Sequence, residues 1–348
     1  MSRKAIFLIL FVAILISLFS FFWMNRFQPL KKEIALQHEK ISWSNTINVL
    51  CGQEEPDDQA FAHRKQMIKE RIAQSFWIVI KENLTGEEML FQLVRKAFNQ
   101  TPPPLERAIQ TGYLNFFFDL GYKPEVWDFN YRVLKSELIA SEVPKQCTDP
   151  NFILISHFHE THHQGGLVKL VKSQPQIPVM LPALSVAGMD LPTLIKKVPD
   201  VFKDFQEANP QNIFKLPDGF TWLTNRIGTL VLTFKEEDGV ENRETSLVIN
   251  SVQGLTIVSG CSHATPEKVI RSVKEATGQN IYRFMGGTEW VSVSKQNMIQ
   301  QMQKIKSMET NIIFNPNHCT PPYAQKIGRQ IFNGNYKPLR LGDQITVE

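Results

Sequence analysis

The sequence predicts an α/β domain. Short apolar runs alternate with amphipathic stretches through its second half, the runs end in polar turn residues, and histidines gather behind one of them. With 348 residues, 43% of them hydrophobic, the chain can bury one large core or two small ones. The net charge of +4 is spread along the sequence, and no basic stripe with interleaved aromatics marks a nucleic-acid surface. No nucleic acid is expected as a partner.

Residues 5–24 carry no charge, follow the basic start at Arg3 and Lys4, and place Trp23 where an interfacial aromatic would stand. That length suits a membrane-spanning helix, so residues 1–27 are expected to form a single-pass anchor, with a polar linker over 28–45 and the main domain over 46–348. The competing reading is a cleaved signal peptide. Its apolar region would be shorter, and residues 18–20 make a poor cleavage site. Arg26, Lys31 and Lys32 behind the run nearly balance the charges ahead of it. The short basic start resembles an export signal and places the domain outside the cytoplasm.

Strands are expected at 46–51 and 75–80, with a charged helix over 57–74 between them. Thr85 and Glu88 have capping-box spacing ahead of an amphipathic helix over 89–98, which the prolines at 102–104 break. Residues 57–112 thus contain a helical insertion, read as a packing element or a lid. A buried strand over 113–120 ends in Asp119-Leu120-Gly121, and another covers 152–155. A helix over 168–172, a strand over 178–181 and a helix with a loop over 191–208 follow. Strands at 220–223 and 229–234 precede a charged turn over 235–244, then strands at 246–250 and 255–258. The last of these runs into Gly260-Cys261-Ser262-His263. A helix over 266–277 has Pro266 near its start. A strand over 281–285 exits through Gly286-Gly287-Thr288-Glu289, a helix covers 294–308, and a strand over 311–314 delivers His318. A last helix and a strand over 344–347 close the chain.

The chemistry concentrates behind residues 152–155. His157, His159, His162 and His163 are four of the chain's eight histidines, all within seven residues of one strand-to-turn junction. Two histidines two apart splay from a turn so that both imidazoles reach one ion, and a later one approaches from another side. Neutral imidazole suits first-row metals. The four cysteines form no closely spaced zinc quartet. Cys51 and Cys147 could pair only in an extracytoplasmic domain. Cys261 and Cys319, each within two residues of a histidine, read as small buried residues beside the site.

This stretch resembles the metallo-β-lactamase superfamily, whose signature runs S-H-x-H-x-D-H-x-G-G-L. Ser156, His157, His159, His162, Gly165, Gly166 and Leu167 match it. Thr161 stands at the aspartate position, and the glycine pair falls one residue late, so either His162 or His163 is the third histidine. GCSH at 260–263, GG-x-E at 286–289 and HCT at 318–320 resemble the landmarks GCSH, GGFH and HCTG of one branch. That branch is labelled 7,8-dihydropterin-6-methyl-4-(β-D-ribofuranosyl)aminobenzene-5′-phosphate synthase-like. The resemblance spans residues 110–348.

The resemblance implies a four-layer αββα sandwich with its site at one edge between two sheets. It implies one or two metal ions, held by His157, His159 and His263 on one side and by His162 or His163 with His318 on the other. Asp119, at the family's D-T-G turn, would brace the metal loop through hydrogen bonds. Zinc is expected, with iron or manganese as alternatives. Metal-bound hydroxide would attack a small-molecule phosphoester, lactone or thioester. Glu160 is either the general base or a solvent-facing glutamate, and Glu289 is either a ligand or a hydrogen-bonding residue. Thr161 brings no charge to the second ion, so one tightly bound ion and a second weak or absent one are expected. A membrane-tethered metal-dependent hydrolase is the reading, and a non-catalytic binding or scaffold relative with a degraded second site is the alternative.

Overall fold

A computed structural model describes residues 45–51, 74–140, 147–182, 196, 202–235, 241–339 and 343–347. Residues 43–348 form one compact unit. Its first sheet is built from Asn45–Cys51 (β1), Ser75–Lys81 (β2), Tyr113–Phe118 (β3), Phe152–Leu154 (β4), Val179–Pro182 (β5), Ile213–Leu216 (β6) and, from the far end of the chain, Gln344–Thr346 (β13). These strands lie in the order β13-β1-β2-β3-β4-β5-β6. The second sheet holds Gly219–Trp222 (β7), Ile227–Lys235 (β8), Glu241–Ser251 (β9), Gly254–Ser259 (β10), Ile281–Gly286 (β11) and Ile313–Pro316 (β12), in the order β12-β11-β10-β9-β8-β7. Strands β3 to β6 run parallel to one another, as do β10 to β12.

The described helices are Met89–Phe98 (α1), Pro103–Thr111 (α2), Pro124–Ala140 (α3), Glu160–His163 (α4), Leu167–Ser173 (α5), Lys203–Ala208 (α6), Pro266–Thr277 (α7), Lys295–Met308 (α8) and Pro322–Phe332 (α9). Strand β2 shows why the layers stack. Its side chains alternate between faces, and both faces are apolar, so both must be covered. Phe76, Ile78 and Ile80 join Leu247, Ile249 and Val258 of the second sheet in an inner cluster. Trp77 and Val79 point the other way, into an outer cluster with Trp127 and Tyr131 of α3, Leu167 and Leu170 of α5, and Phe205 of α6. The outer face of the second sheet is covered by α7, α8 and α9 through residues such as Val269, Met302 and Ala324. The result is helices, sheet, sheet, helices.

The order of elements follows the sequence reading from β3 onward, and the departures have physical causes. The prolines at 102–104 open a helix instead of only ending one: Pro103 occupies the first turn of α2, where a missing N–H costs nothing. Leu90, Phe91, Val94, Leu105 and Ala108 of α1 and α2 enter the inner cluster, so this addition packs against the core. Helix α3 and strand β6 carry no clear periodic signal and were not expected. The charged turn over 235–244 narrows, because β8 reaches Lys235 and β9 already begins at Glu241. Cys147 is a free thiol in the outer cluster, not a disulfide partner of Cys51.

The single-pass, extracytoplasmic location must be corrected. Among the described residues no helix is long and apolar enough to cross a membrane. The longest, α3, has 17 residues, about 26 Å of rise where a hydrocarbon core needs about 30 Å, and it spends its apolar face on the sheet. Residues 1–44, on which the anchor reading rested, lie outside the described residues, as do residues 57–73 of the helix expected over 57–74.

Candidate metal centre

The polar candidates meet because they follow the carboxyl ends of parallel strands. Asp119 comes one residue after β3, His157 three after β4, Cys261 two after β10, Glu289 three after β11 and His318 two after β12. The ends of parallel strands in α/β sheets are where a crevice for ligands opens. Reaching it bends the backbone: Asp119, Ser262, Glu289 and Cys319 all have positive φ, at 61°, 61°, 48° and 54°. Four non-glycine residues held in this disfavoured region around one crevice single it out as a candidate site.

Two clusters of ring nitrogens lie side by side. In the first, His157 Nε2 is 3.0 Å from His159 Nδ1 and 3.3 Å from His263 Nε2. In the second, His162 Nε2 is 3.0 Å from His318 Nε2. Cys261 belongs to both groups of ligand atoms, and with Glu289 and Cys319 it makes a third. The His157 and His162 rings are 4.1 Å apart, so the two clusters form one centre.

Hydrogen bonds set the tautomers that a metal requires. Asp119 accepts from the Ser156 N–H at 2.7 Å and the Ser156 hydroxyl at 2.9 Å, and it lies 2.7 Å from His162 Nδ1. With the Ser156 proton given to Asp119, its oxygen takes the His157 Nδ1 proton across 2.8 Å. Both histidines then carry their proton on Nδ1 and turn an Nε2 lone pair to the centre. When His159 Nδ1 and His263 Nε2 also present lone pairs, the three nitrogens, 3.0 and 3.3 Å apart, repel one another unless a cation lies between them. Tetrahedral zinc with nitrogen ligands separates its ligand atoms by about 3.3 Å, so the residues fit a metal ion. Burial, reinforced by the neighbouring histidines, holds His157, His162 and His318 well below the usual imidazole range, in the neutral form that binds metal.

Two carboxylates support this arrangement from below. Burial pushes Asp119 up to about 8 against the lowering effect of its hydrogen bonds from Ser156 and Gln74. Glu244 on β9 is also buried and raised by desolvation. Its two oxygens accept the N–H groups of Ser262 and His263 at 2.8 and 2.7 Å, fixing the turn that presents His263. The His263 ring stacks on Phe234 at 4.4 Å. Gly260 is required here, because a Cβ would strike the Ser156 hydroxyl and the Glu244 carboxylate.

The chain superposes on the crystal structure of a metal-dependent hydrolase of the β-lactamase superfamily with a TM-score of 0.54 and 18% identity, covering 87% of this chain and 99% of that one. The chain is a metallo-β-lactamase-fold protein. A metallo-β-lactamase-fold protein from Bacillus subtilis gives a TM-score of 0.47 at 11% identity, over 86% of this chain and 98% of that one. In sequence, the chain is 25% identical to the 7,8-dihydropterin-6-methyl-4-(β-D-ribofuranosyl)-aminobenzene-5′-phosphate synthase of Methanocaldococcus jannaschii over 229 residues, 56% of this chain and 74% of that protein. That similarity supports the branch whose landmarks residues 260–263, 286–289 and 318–320 resemble. No protein-family model matches the chain.

Within the metallo-β-lactamase fold, the two candidates for the third histidine separate. The extra residue is absorbed in the single turn α4, which turns His162 inward and His163 away. His163 Nδ1 meets Asp204 Oδ2 at 2.8 Å, in a pocket where its ring is parallel to that of Phe202 and edge-on to that of Phe205. The structure does not bring His163 to either cluster. Glu160 opens α4, half-buried, and its carboxylate is in none of the three clusters. Thr161 is half-buried and also outside them. Glu289 Oε1 accepts a hydrogen bond from Ser292 at 2.7 Å while lying within reach of Cys261 and Cys319.

Sequence reasoning missed Glu244, Gln74 and Asp204. Gln74 donates to Asp119 at 3.3 Å and to the Ser259 carbonyl at 2.7 Å, tying the two sheets together beneath the centre. Glu244 sits in a charged stretch that reads as a turn, so nothing local distinguishes it from the other charged residues there.

Proposed function

We propose that this chain is a metal-dependent hydrolase that acts on a small-molecule phosphoester, lactone or thioester. The observation that carries the reading is the convergence of His157, His159 and His263 nitrogens at 3.0 and 3.3 Å, with the His157 tautomer set by Ser156 and Asp119. These three residues would hold the tighter ion, and His162 with His318 a second, weaker one. A bound divalent ion supplies Lewis acidity and lowers the pKa of its water towards about 7. The chain's own residues do the rest. Asp119 holds Ser156 and His162 in place, Glu244 fixes the His263 turn, and Phe234 packs on the His263 ring to limit its rotation. Glu160, at the start of the turn between His159 and His162, is the proposed proton acceptor for the attacking water.

Zinc suits the imidazole set, and iron or manganese is the alternative metal. The synthase name of the archaeal relative does not fix the substrate, because substrate choice rests on loops outside the shared motifs. One feature, Thr161 in place of an aspartate, favours a second reading in which the pocket binds a small molecule without turning it over. Purified protein decides between them through elemental analysis and turnover of a panel holding a phosphodiester, a lactone and a thioester. Metal-dependent turnover of one class is expected. Stoichiometric metal with no turnover of any class would support the binding reading, and absence of metal would end both.

A further inference from the structure

We propose that Cys261 is a metal ligand, its thiolate completing with His162 and His318 a position for the second ion and supplying the negative charge that Thr161 lacks. This rests on the metal reading above and goes beyond it, since it assigns a sulfur ligand to a centre otherwise built from imidazoles. Cys261 Sγ lies 2.9 Å from His318 Nε2 and 3.2 Å from His162 Nε2, and those two nitrogens are 3.0 Å from each other. Three ligand-type atoms therefore form one small triangle, buried throughout.

Hydrogen bonding alone leaves this triangle poorly satisfied. His162 commits its Nδ1 proton to Asp119, which leaves Nε2 as an acceptor. Whichever nitrogen of His318 carries its proton, one buried atom stays unmatched, because His318 Nδ1 has no hydrogen-bond partner. A cation would engage all three atoms at once, and the thiol proton would leave to solvent as the sulfur–metal bond forms. Cys319 does not compete for this place. Its sulfur is 3.4 Å from Cys261 and grouped with Glu289, away from the histidine nitrogens.

Charge favours the same assignment. Two divalent ions a few ångströms apart repel strongly in a dry site, and an anionic ligand between them lowers that cost. Cys261 is shared by the His157-His159-His263 group and the His162-His318 group, so its sulfur faces both positions. Thiolate also selects: it favours zinc or cobalt over manganese or magnesium, which prefer oxygen.

The test uses full-length protein purified under reducing conditions and titrated with cobalt(II). The parent and Cys319→Ser should bind two equivalents and show a near-ultraviolet sulfur-to-cobalt charge-transfer band. Cys261→Ser should lose the band and drop from two equivalents to one. A band that persists in Cys261→Ser, or that disappears in Cys319→Ser instead, overturns the assignment. Cobalt binding by the parent without a sulfur band also overturns it while leaving the metal reading intact. No cobalt binding by the parent brings down both. Should Cys261→Ser fail to fold, X-ray absorption on the zinc-loaded parent answers the same question. A sulfur scatterer at about 2.3 Å supports the ligand, and only nitrogen or oxygen at about 2.0–2.1 Å overturns it.

Discussion

Asp119 Oδ2 lies 2.7 Å from His162 Nδ1, and this contact joins the turn after β3 to the histidine loop after β4. The same carboxylate accepts two hydrogen bonds from Ser156, so a single buried group orients imidazoles in both clusters. Strand ends bring the ligands close, and Asp119 decides which nitrogen of each ring faces the ion.

Asp119→Asn should therefore weaken metal binding without touching a proposed ligand. An amide can accept on one side only, and its NH2 group would face a donor at Ser156 or His162. Loss of such supporting carboxylates typically costs about 10–100-fold in metal affinity. Competition against a chromophoric chelator measures it, and an unchanged dissociation constant would count against the bracing role.

His263→Ala should lower both metal content and thermal stability. It removes one of three converging nitrogens and the ring stacked on Phe234. A ligand present at about 100 times its dissociation constant stabilises the folded state by about 2.7 kcal/mol. The parent should thus melt lower after chelation, and the variant should lose most of that chelator-dependent shift. Full metal content with an unchanged shift would place the first ion elsewhere.

The second half of the chain was legible because each strand there has one apolar run and one polar exit, a pattern visible without long-range information. Helix α7 was expected over 266–277 and found at Pro266–Thr277, with Thr265 capping its first turn. The proposed metal ligands were legible for the same reason, since His157, His263 and His318 each come within four residues of a strand's end. What failed were features decided at a distance. Glu244 looks solvated until β9 pairs with β10 and buries it against the Ser262 turn. Choosing between His162 and His163 needed α4 and the pocket of Phe202 and Phe205, neither readable from a motif shifted by one residue. Cys261 and Cys319 are buried beside the centre, as their places next to histidines suggested, but nothing local shows that 58 residues of chain bring their sulfurs to 3.4 Å.

Those two adjacent histidines should behave differently when replaced. His162→Ala should lower metal stoichiometry, because its Nε2 lies in the second cluster. His163→Ala should leave stoichiometry intact and lower stability instead. It strips Asp204 of its partner in an aromatic pocket, where an unsatisfied buried polar group costs about 1–3 kcal/mol. Denaturant unfolding paired with elemental analysis separates the two effects. Metal loss in His163→Ala at unchanged stability would reverse the assignment.

Glu82, outside the metal centre, should make stability pH-dependent. It follows β2 and is buried; one carboxylate oxygen accepts the Thr224 hydroxyl at 2.8 Å and the other has no partner. Burial raises its pKa above the ordinary carboxylate value of 4.5, against the lowering effect of Thr224 and Arg226. The folded chain therefore holds the proton more tightly than the unfolded chain does. Stability is undiminished at pH values below 4.5 and falls as pH rises through the raised value, where the buried group must ionise. Glu82→Gln keeps the shape and the acceptor for Thr224 but cannot ionise. Melting temperatures of the two proteins should coincide near about pH 4, and the variant should melt higher near about pH 8. Equal melting across that range, or a parent that is the more stable at the alkaline end, would show that Glu82 is ionised at little cost where it stands.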